Sequence, residues 1–233
     1  MTKTAILVDG GFYRRRFEAG LKHSPAEAAD ALFSYCFRHL EERHTNHELY
    51  RIFYYDAPPC QKKIFHPLFD RTVDFSKTDL SRWMTEYLKE LTKKRKIALR
   101  LGSIDEGSAV FNLTPEATKD IVTKKRTLDS LTERDFVPSL KQKGVDMKIG
   151  VDIASLAYKK QVDQIVLIAG DSDFVPAAKL ARREGIDFVL DPLGRAIKEE
   201  LFEHIDGLRS CGSPYKTKDR GAAGDDHKDP SLA

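Results

Sequence analysis

The sequence predicts an α/β fold, an open and mostly parallel sheet with helices on both faces, and three observations predict it. Short runs rich in β-branched residues alternate along the chain with longer stretches of helical spacing. Two of those runs, AILV near the N-terminus and IVLIA at 165–169, are continuously apolar, as a parallel strand covered on both faces requires. The size and balance agree: 233 residues, 41% hydrophobic and 32% charged, suffice for one good core.

The elements follow in order. TAILVDG (4–10) reads as the first strand, and residues 25–43 as a helix. LYRIFYYDA (49–57) is a strand, 77–95 a helix and KIALRLGSI (96–104) a third strand. Residues 105–142 break the alternation with Pro, Thr and charge, and read as an insertion or flap. A helix is expected over 147–160, a strand over QIVLIAG (164–170) and a helix over 174–184. That last helix has Asp173 as its N-cap, tolerates Pro176 in its first turn, where no backbone donor is missed, and stops at Gly185. IDFVLDP (186–192) closes the series. One domain is expected over 1–211, and residues 212–233, nearly free of bulky apolar side chains, read as a disordered tail.

Composition excludes some functions. Cys36, Cys60 and Cys211 are far apart and odd in number, which fits neither a disulfide framework nor a zinc knuckle and reads as reduced thiols in the cytoplasm. The apolar run at the N-terminus is too short for a signal-peptide core, and no run approaches membrane-spanning length. The net charge is +3, but residues 57–143 hold 18 Lys and Arg against 12 Asp and Glu, whereas 144–211 hold 9 against 12. The split suits a basic surface for a polyanion beside an acidic cation site; a solvated surface gives the same pattern.

Ligands of open α/β sheets bind beyond the carboxyl ends of the strands, where strand order reverses. Asp9 and Asp171 end two of the runs, each beside glycine, which lets the backbone turn tightly. In the helix over 147–160, Ile149, Ile153 and Leu156 share one side, and Asp152 lies at the edge of that stripe, where an acid needs a partner. Asp146, at the start of that helix, could equally be a cap. Asp171-Ser172-Asp173 before a helix reads by itself as capping chemistry, but capping does not explain Asp9 or Asp152. Brought together, Asp9, Asp146, Asp152, Asp171 and Asp173 would either stay protonated or hold a cation. Hard divalent ions such as Mg²⁺ and Mn²⁺ take such oxygens along with water and substrate phosphate, which is the setting of phosphoryl chemistry.

Five segments, VDGGF (8–12), FYYDAPP (53–59), LRLGSI (99–104), KGVDMKIGVDIASLAY (143–158) and AGDSDFVPAAKLARREG (169–185), resemble in that order those of NYN-domain proteins of the LabA-like group, relatives of the PIN nucleases. The match covers most of residues 4–191. The resemblance implies a PIN-like, Rossmann-like three-layer sandwich. It also implies an Mg²⁺- or Mn²⁺-dependent endoribonuclease that hydrolyses phosphodiester bonds of single-stranded RNA through metal-activated water. Position by position, it makes Asp9, Asp146 and Asp171 direct or water-mediated metal ligands. Asp173 would hold a metal-bound water or a second ion, and Asp152 would be a ligand or would orient one. Where many of these domains carry Asn after the first Asp-Gly, this chain has Gly11.

Around that core, Arg14, Arg15 and Arg16 closely follow Asp9 and could contact phosphates, and Tyr13 beside them could stack a base. Lys143 could steady a phosphate or stand on the surface. Asp56 either reaches the same edge in support of the acids or is a turn residue before two prolines, and Ser172 helps the turn into the helix. The expected partner is single-stranded RNA, with homo-oligomers allowed and no membrane. The alternative is an RNA- or nucleotide-binding regulatory module that cleaves weakly or not at all. A haloacid-dehalogenase-type phosphatase would want an acid where Gly11 stands, and a Toprim site a glutamate that AILVDG lacks.

Overall fold

In the computed structural model, which describes residues 1–17, 22–41 and 45–215, the run Thr4–Val8 is wholly removed from solvent. It lies in β1 (Thr2–Asp9), which runs directly into α1 (Gly10–Phe17). Next come α2 (Pro25–Arg38) and β2 (His47–Asp56). A hairpin, β3 (Lys63–His66) and β4 (Arg71–Asp74), leads to α3 (Asp79–Thr92) and β5 (Ile97–Leu101). The segment after it holds β6 (Ser103–Ile104), β7 (Val110–Leu113), α4 (Pro115–Val122), β8 (Phe136–Ser139) and β9 (Gln142–Lys143). The chain ends with α5 (Val145–Tyr158), β10 (Gln164–Ile168), α6 (Val175–Arg183), β11 (Asp187–Asp191), α7 (Glu199–Phe202) and β12 (Gly207–Leu208).

The main sheet has the order β12-β11-β10-β1-β2-β5, and every pairing in it is parallel. Alternation of side chains along each strand sends Ala5, Leu7, Ile165 and Leu167 to one face, where they meet Ile149, Ile153 and Leu156 of α5 and Ala178 of α6. Ile6, Val8, Val166 and Ile168 point the other way, onto Tyr13 of α1, Leu32 and Tyr35 of α2, and Trp83 and Tyr87 of α3. This is a three-layer α/β sandwich. The antiparallel pairs are confined to the small β3–β4, β6–β9 and β7–β8 ladders.

All five expected strands form, and the differences are at their edges. β12 adds a sixth strand of two residues, too short to be visible as a periodic run. The helix expected over 25–43 ends at Arg38, and residues 42–44 lie outside the described residues. Its start is a capping box in which Ser24 and Glu27 exchange hydrogen bonds. Asp173 is not the N-cap expected for the helix over 174–184. Asp171 takes the capping role one turn earlier, accepting from the Asp173 backbone N–H at 3.1 Å. A 3₁₀ turn over Ser172–Phe174 then precedes α6. Residues 105–142 pair β7 with β8 around α4, and Arg126 holds Asp135 through two 2.9 Å hydrogen bonds. Most of the tail expected from residue 212, that is 216–233, lies outside the described residues. Among the described residues no helix is long and apolar enough to cross a membrane.

Candidate functional site

The chain builds β1, β2 and β5 in one direction across the sheet, then crosses to β10 and builds β11 and β12 in the other. Strand order therefore reverses between β1 and β10, the place beyond whose carboxyl ends open α/β sheets bind their ligands. Asp9 is the last residue of β1, and Asp171 comes three residues after β10 ends. α5 crosses the same face of the sheet and brings Asp146, in its first turn, to this edge.

Asp9 Oδ1 accepts the Phe12 backbone N–H at 2.9 Å, which ties the carboxylate to the first turn of α1. Burial raises the Asp9 carboxyl above its ordinary value, and the nearby charges of Asp146 and Asp56 raise it further; the Phe12 bond and Arg15 oppose them. Asp146 is also raised, first by loss of solvent and then by Asp171 and Asp173, with Arg15 again opposing. Asp146 is thus the acid whose charge reaches Asp9 and which itself feels Asp171 and Asp173, with the Arg15 guanidinium acting on both Asp9 and Asp146. Gly11 is closely bordered by these groups: a Cβ built there would lie 3.2 Å from Arg15 Nη1, 3.4 Å from Asp9 Oδ1 and 3.7 Å from Gln142 Oε1, so the absent side chain lets Arg15 and Gln142 come up beside Asp9. Gly170 is closed in more tightly still, since a Cβ there would meet the Phe12 ring at 2.5 Å.

Asp152 stands apart from this group. It accepts from Tyr55 Oη at 2.8 Å and from Arg100 Nε at 3.0 Å, and it is not among the principal charges that Asp9 and Asp146 feel. Six residues along α5 separate it from Asp146 by about 9 Å, and its partners on β2 and β5 explain an acid beside an apolar stripe. Asp56 is fully buried and is neither a turn residue nor open to a ligand. Arg14 grips it bidentately at 2.9 and 3.0 Å, and Tyr54 Oη, the Ala57 N–H and Gln142 Nε2 complete its shell.

These contacts correct several expectations. Arg14 is committed to Asp56 and is not available to a phosphate. Tyr13 is fully buried, edge-on to Phe17 and Tyr35, and cannot stack a base. Arg16 donates to the Leu193 carbonyl at 2.9 Å, and Lys143 pairs with Asp105 at 2.8 Å. Of the basic run only Arg15 faces the acids. Ser172 accepts from Lys198 Nζ at 3.3 Å, so a lysine from the β11–α7 connection reaches the turn between Asp171 and Asp173. From the same connection Arg195 lies over the Phe12 ring, 5.7 Å from its centroid. The segment PLGRAIK carries no spacing that marks either cation, because its only link to the acids is through tertiary packing.

The donor set suits a hard divalent ion, since it consists of mutually repelling carboxylate oxygens at a solvent-open edge. Among the described residues no three His, Cys, Asp or Glu side chains stand close enough to enclose a metal. An ion here would be held by one or two carboxylates, with water and substrate oxygens completing its shell.

An open parallel α/β sheet with acids at its switch point belongs to a class of ligand-binding or phosphoryl-transfer domains. The family model for the NYN domain matches residues 39–192, and the chain belongs to that family, whose members are in general PIN-like nucleases acting on RNA. The match takes in Asp146, Asp152, Asp171 and Asp173, while β1 with Asp9 precedes it. An uncharacterized protein of Methanocaldococcus jannaschii is 24% identical over 100 residues, which is 43% of this chain; the chain spans 38% of that relative's length. A crystal structure of a protein of unknown function from Vibrio parahaemolyticus aligns over 92% of this chain and 95% of its own, at 14% identity and a TM-score of 0.46.

Proposed function

We propose that this chain is a divalent-metal-dependent endoribonuclease of the LabA-like group that hydrolyses phosphodiester bonds of single-stranded RNA. What supports the reading is the line of acids at the switch point, Asp9 ending β1, Asp146 in the first turn of α5, and Asp171 and Asp173 in the turn after β10, with Asp146 within reach of Asp9 and of the Asp171–Asp173 turn. Asp9, Asp146 and Asp171 are the residues that would hold Mg²⁺ or Mn²⁺, with Asp173 orienting water beside them. The ion would supply a water of lowered pKa and charge neutralisation at the phosphate.

The chain's own residues do the rest. The Phe12 N–H and the cap at Asp171 fix two of the acids, so that they need little reorganisation when substrate arrives. Arg15, Arg195 and Lys198 ring the acids and would contact backbone phosphates without reading sequence. The water oxygen bonds to phosphorus, the bond to the ribose 3′ oxygen breaks, and that oxygen leaves with a proton. The products are a 5′-phosphate and a 3′-hydroxyl. No side chain becomes covalently attached.

The test is incubation of the purified chain with end-labelled single-stranded RNA in Mg²⁺ or Mn²⁺, beside EDTA and the Asp171→Asn variant. Cleavage is expected only in the metal-containing wild type, and Mn²⁺ is expected to raise its Tm more than that of Asp171→Asn. A 2′,3′-cyclic phosphate product, or cleavage surviving in Asp171→Asn, would overturn the mechanism. The Arg15 guanidinium lying among the acids favours a second reading, an RNA-binding module that does not cleave. Intact RNA in Mn²⁺ with tight, salt-sensitive binding would establish that one instead.

A further inference from the structure

A cavity of about 300 Å³ lies next to the acidic edge. Its walls are flat and mostly apolar, formed by Pro58 and Pro59 after β2, Phe75 and Met84 at and within the α3 arm, and Pro138 and Leu140 from the 105–142 segment. Arg14 and Gln142 line it as well, and both donate to Asp56, the buried carboxylate whose charge reaches Asp9. Gln142 belongs to both places, since its Oε1 also stands over Gly11 together with Asp9 Oδ1 and Arg15 Nη1. The cavity and the acidic edge are therefore neighbours that share the Gln142 carboxamide.

From this geometry we infer that the cavity receives one unpaired nucleobase of the RNA, next to the phosphate held at the acids. The inference rests on the proposed action on RNA and deepens it by assigning a base subsite. Single-stranded RNA is read by splaying bases out of the stack, laying them against flat side chains and hydrogen-bonding their edges. Phenyl, proline and thioether surfaces provide the contact here, and the Gln142 carboxamide, with Ser81 of α3 on the lining, provides polar groups for a base edge. The volume sits at the low end of small-ligand sites, roughly 300–1,000 Å³, which admits a single ring system and excludes a duplex. A base held there fixes the register of the strand, so the scissile phosphate lies at a set distance from a chosen nucleotide.

The test uses the full chain, in EDTA so that cleavage plays no part. Nucleoside monophosphates are titrated while backbone amide shifts are followed by NMR, with ribose 5-phosphate as the baseless control. At least one nucleotide is expected to shift the amides of Thr78–Met84 saturably, and ribose 5-phosphate to leave them in place. Leu80 lines the cavity and is half exposed on α3, so Leu80→Trp fills the space without disturbing the core and is expected to weaken that nucleotide tenfold or more. Leu80→Ala, which opens the mouth, is expected to retain binding. Shifts confined to the acidic edge, equal shifts from ribose 5-phosphate, or full affinity in Leu80→Trp would each overturn the inference. Base binding at the cavity with intact RNA in Mn²⁺ would uphold it while removing the nuclease reading. Cleavage without base binding would do the reverse.

Discussion

Asp9, Asp56 and Asp191 each end a strand of the parallel sheet, and their surroundings give them different tasks. Asp56 and Asp191 are buried and saturated with donors. Burial alone would raise Asp191, but its hydrogen bonds with His39 Nε2 at 2.9 Å, Ser210 Oγ at 2.6 Å and Tyr35 Oη at 2.6 Å hold it below the ordinary carboxylate value. Removing one partner of a buried ion pair leaves the other charge stranded, so Asp56→Ala is expected to cost about 3–5 kcal/mol in urea denaturation. Replacing both members, as in Asp56→Leu with Arg14→Met, should recover much of that loss. If the double variant is no better than the single, the stranded arginine is not the cause. Asp9 is raised instead, so between the unfolded and folded values the native chain binds the extra proton, and stability falls as pH rises through that window. Asn keeps an oxygen for the Phe12 N–H and carries no charge. Asp9→Asn should therefore melt a few degrees above wild type at neutral pH, and the gap should close in acid. A neutral-pH melt below wild type would contradict this. Asp191 was not singled out in the sequence, whereas Asp9 and Asp56 were legible there because each ends a strand-like run. The Arg14 partner was not, since 42 residues separate the pair and only the β1–β2 pairing brings them together.

At the scale of elements, periodicity located the strands and four long helices, whereas ends depended on individual hydrogen bonds. Two aspartates two residues apart are equivalent candidates for a cap, and the choice of Asp171 over Asp173 follows from the 3₁₀ turn that Pro176 and the buried Phe174 place ahead of α6. The helix α1 was missed because it is only eight residues long, begins with two glycines and carries three arginines, so it has little apolar stripe to recognise. Its position is set by contact between Phe12 and Gly170, at the point where the turn carrying Asp171 leaves the sheet. Gly170→Ala is expected to force those elements apart, costing about 1–3 kcal/mol. Because the ring is the obstacle, Phe12→Leu in the same chain should restore part of the loss, read as recovery of the urea midpoint. No recovery would show that the backbone at 170, and not the ring, sets the requirement.

At the scale of the whole molecule, the crossover from β5 to β10 decides which side chains meet. It places the acidic later part of the chain against Asp9 and brings Arg195 and Lys198 from the far side of the sheet to the same edge. The charge surplus of residues 57–143 had suggested a basic face there, yet the cations nearest the acids come from outside that stretch. A net charge of +3 gives little general attraction to RNA, so affinity should depend on these few side chains. Each phosphate neutralised on a single strand contributes about −0.7 to the slope of log K against log salt, so Arg15, Arg195 and Lys198 together predict a slope of about −2. Replacing Arg195 and Lys198 by Ala should bring it to about −0.7 and weaken all sequences alike, because phosphate contacts carry no base information. Fluorescence anisotropy on single-stranded RNA in EDTA, from low to moderate salt, measures both quantities. An unchanged slope in the double variant would place the RNA backbone elsewhere, whereas loss of affinity for only some sequences would mean that these two residues read bases.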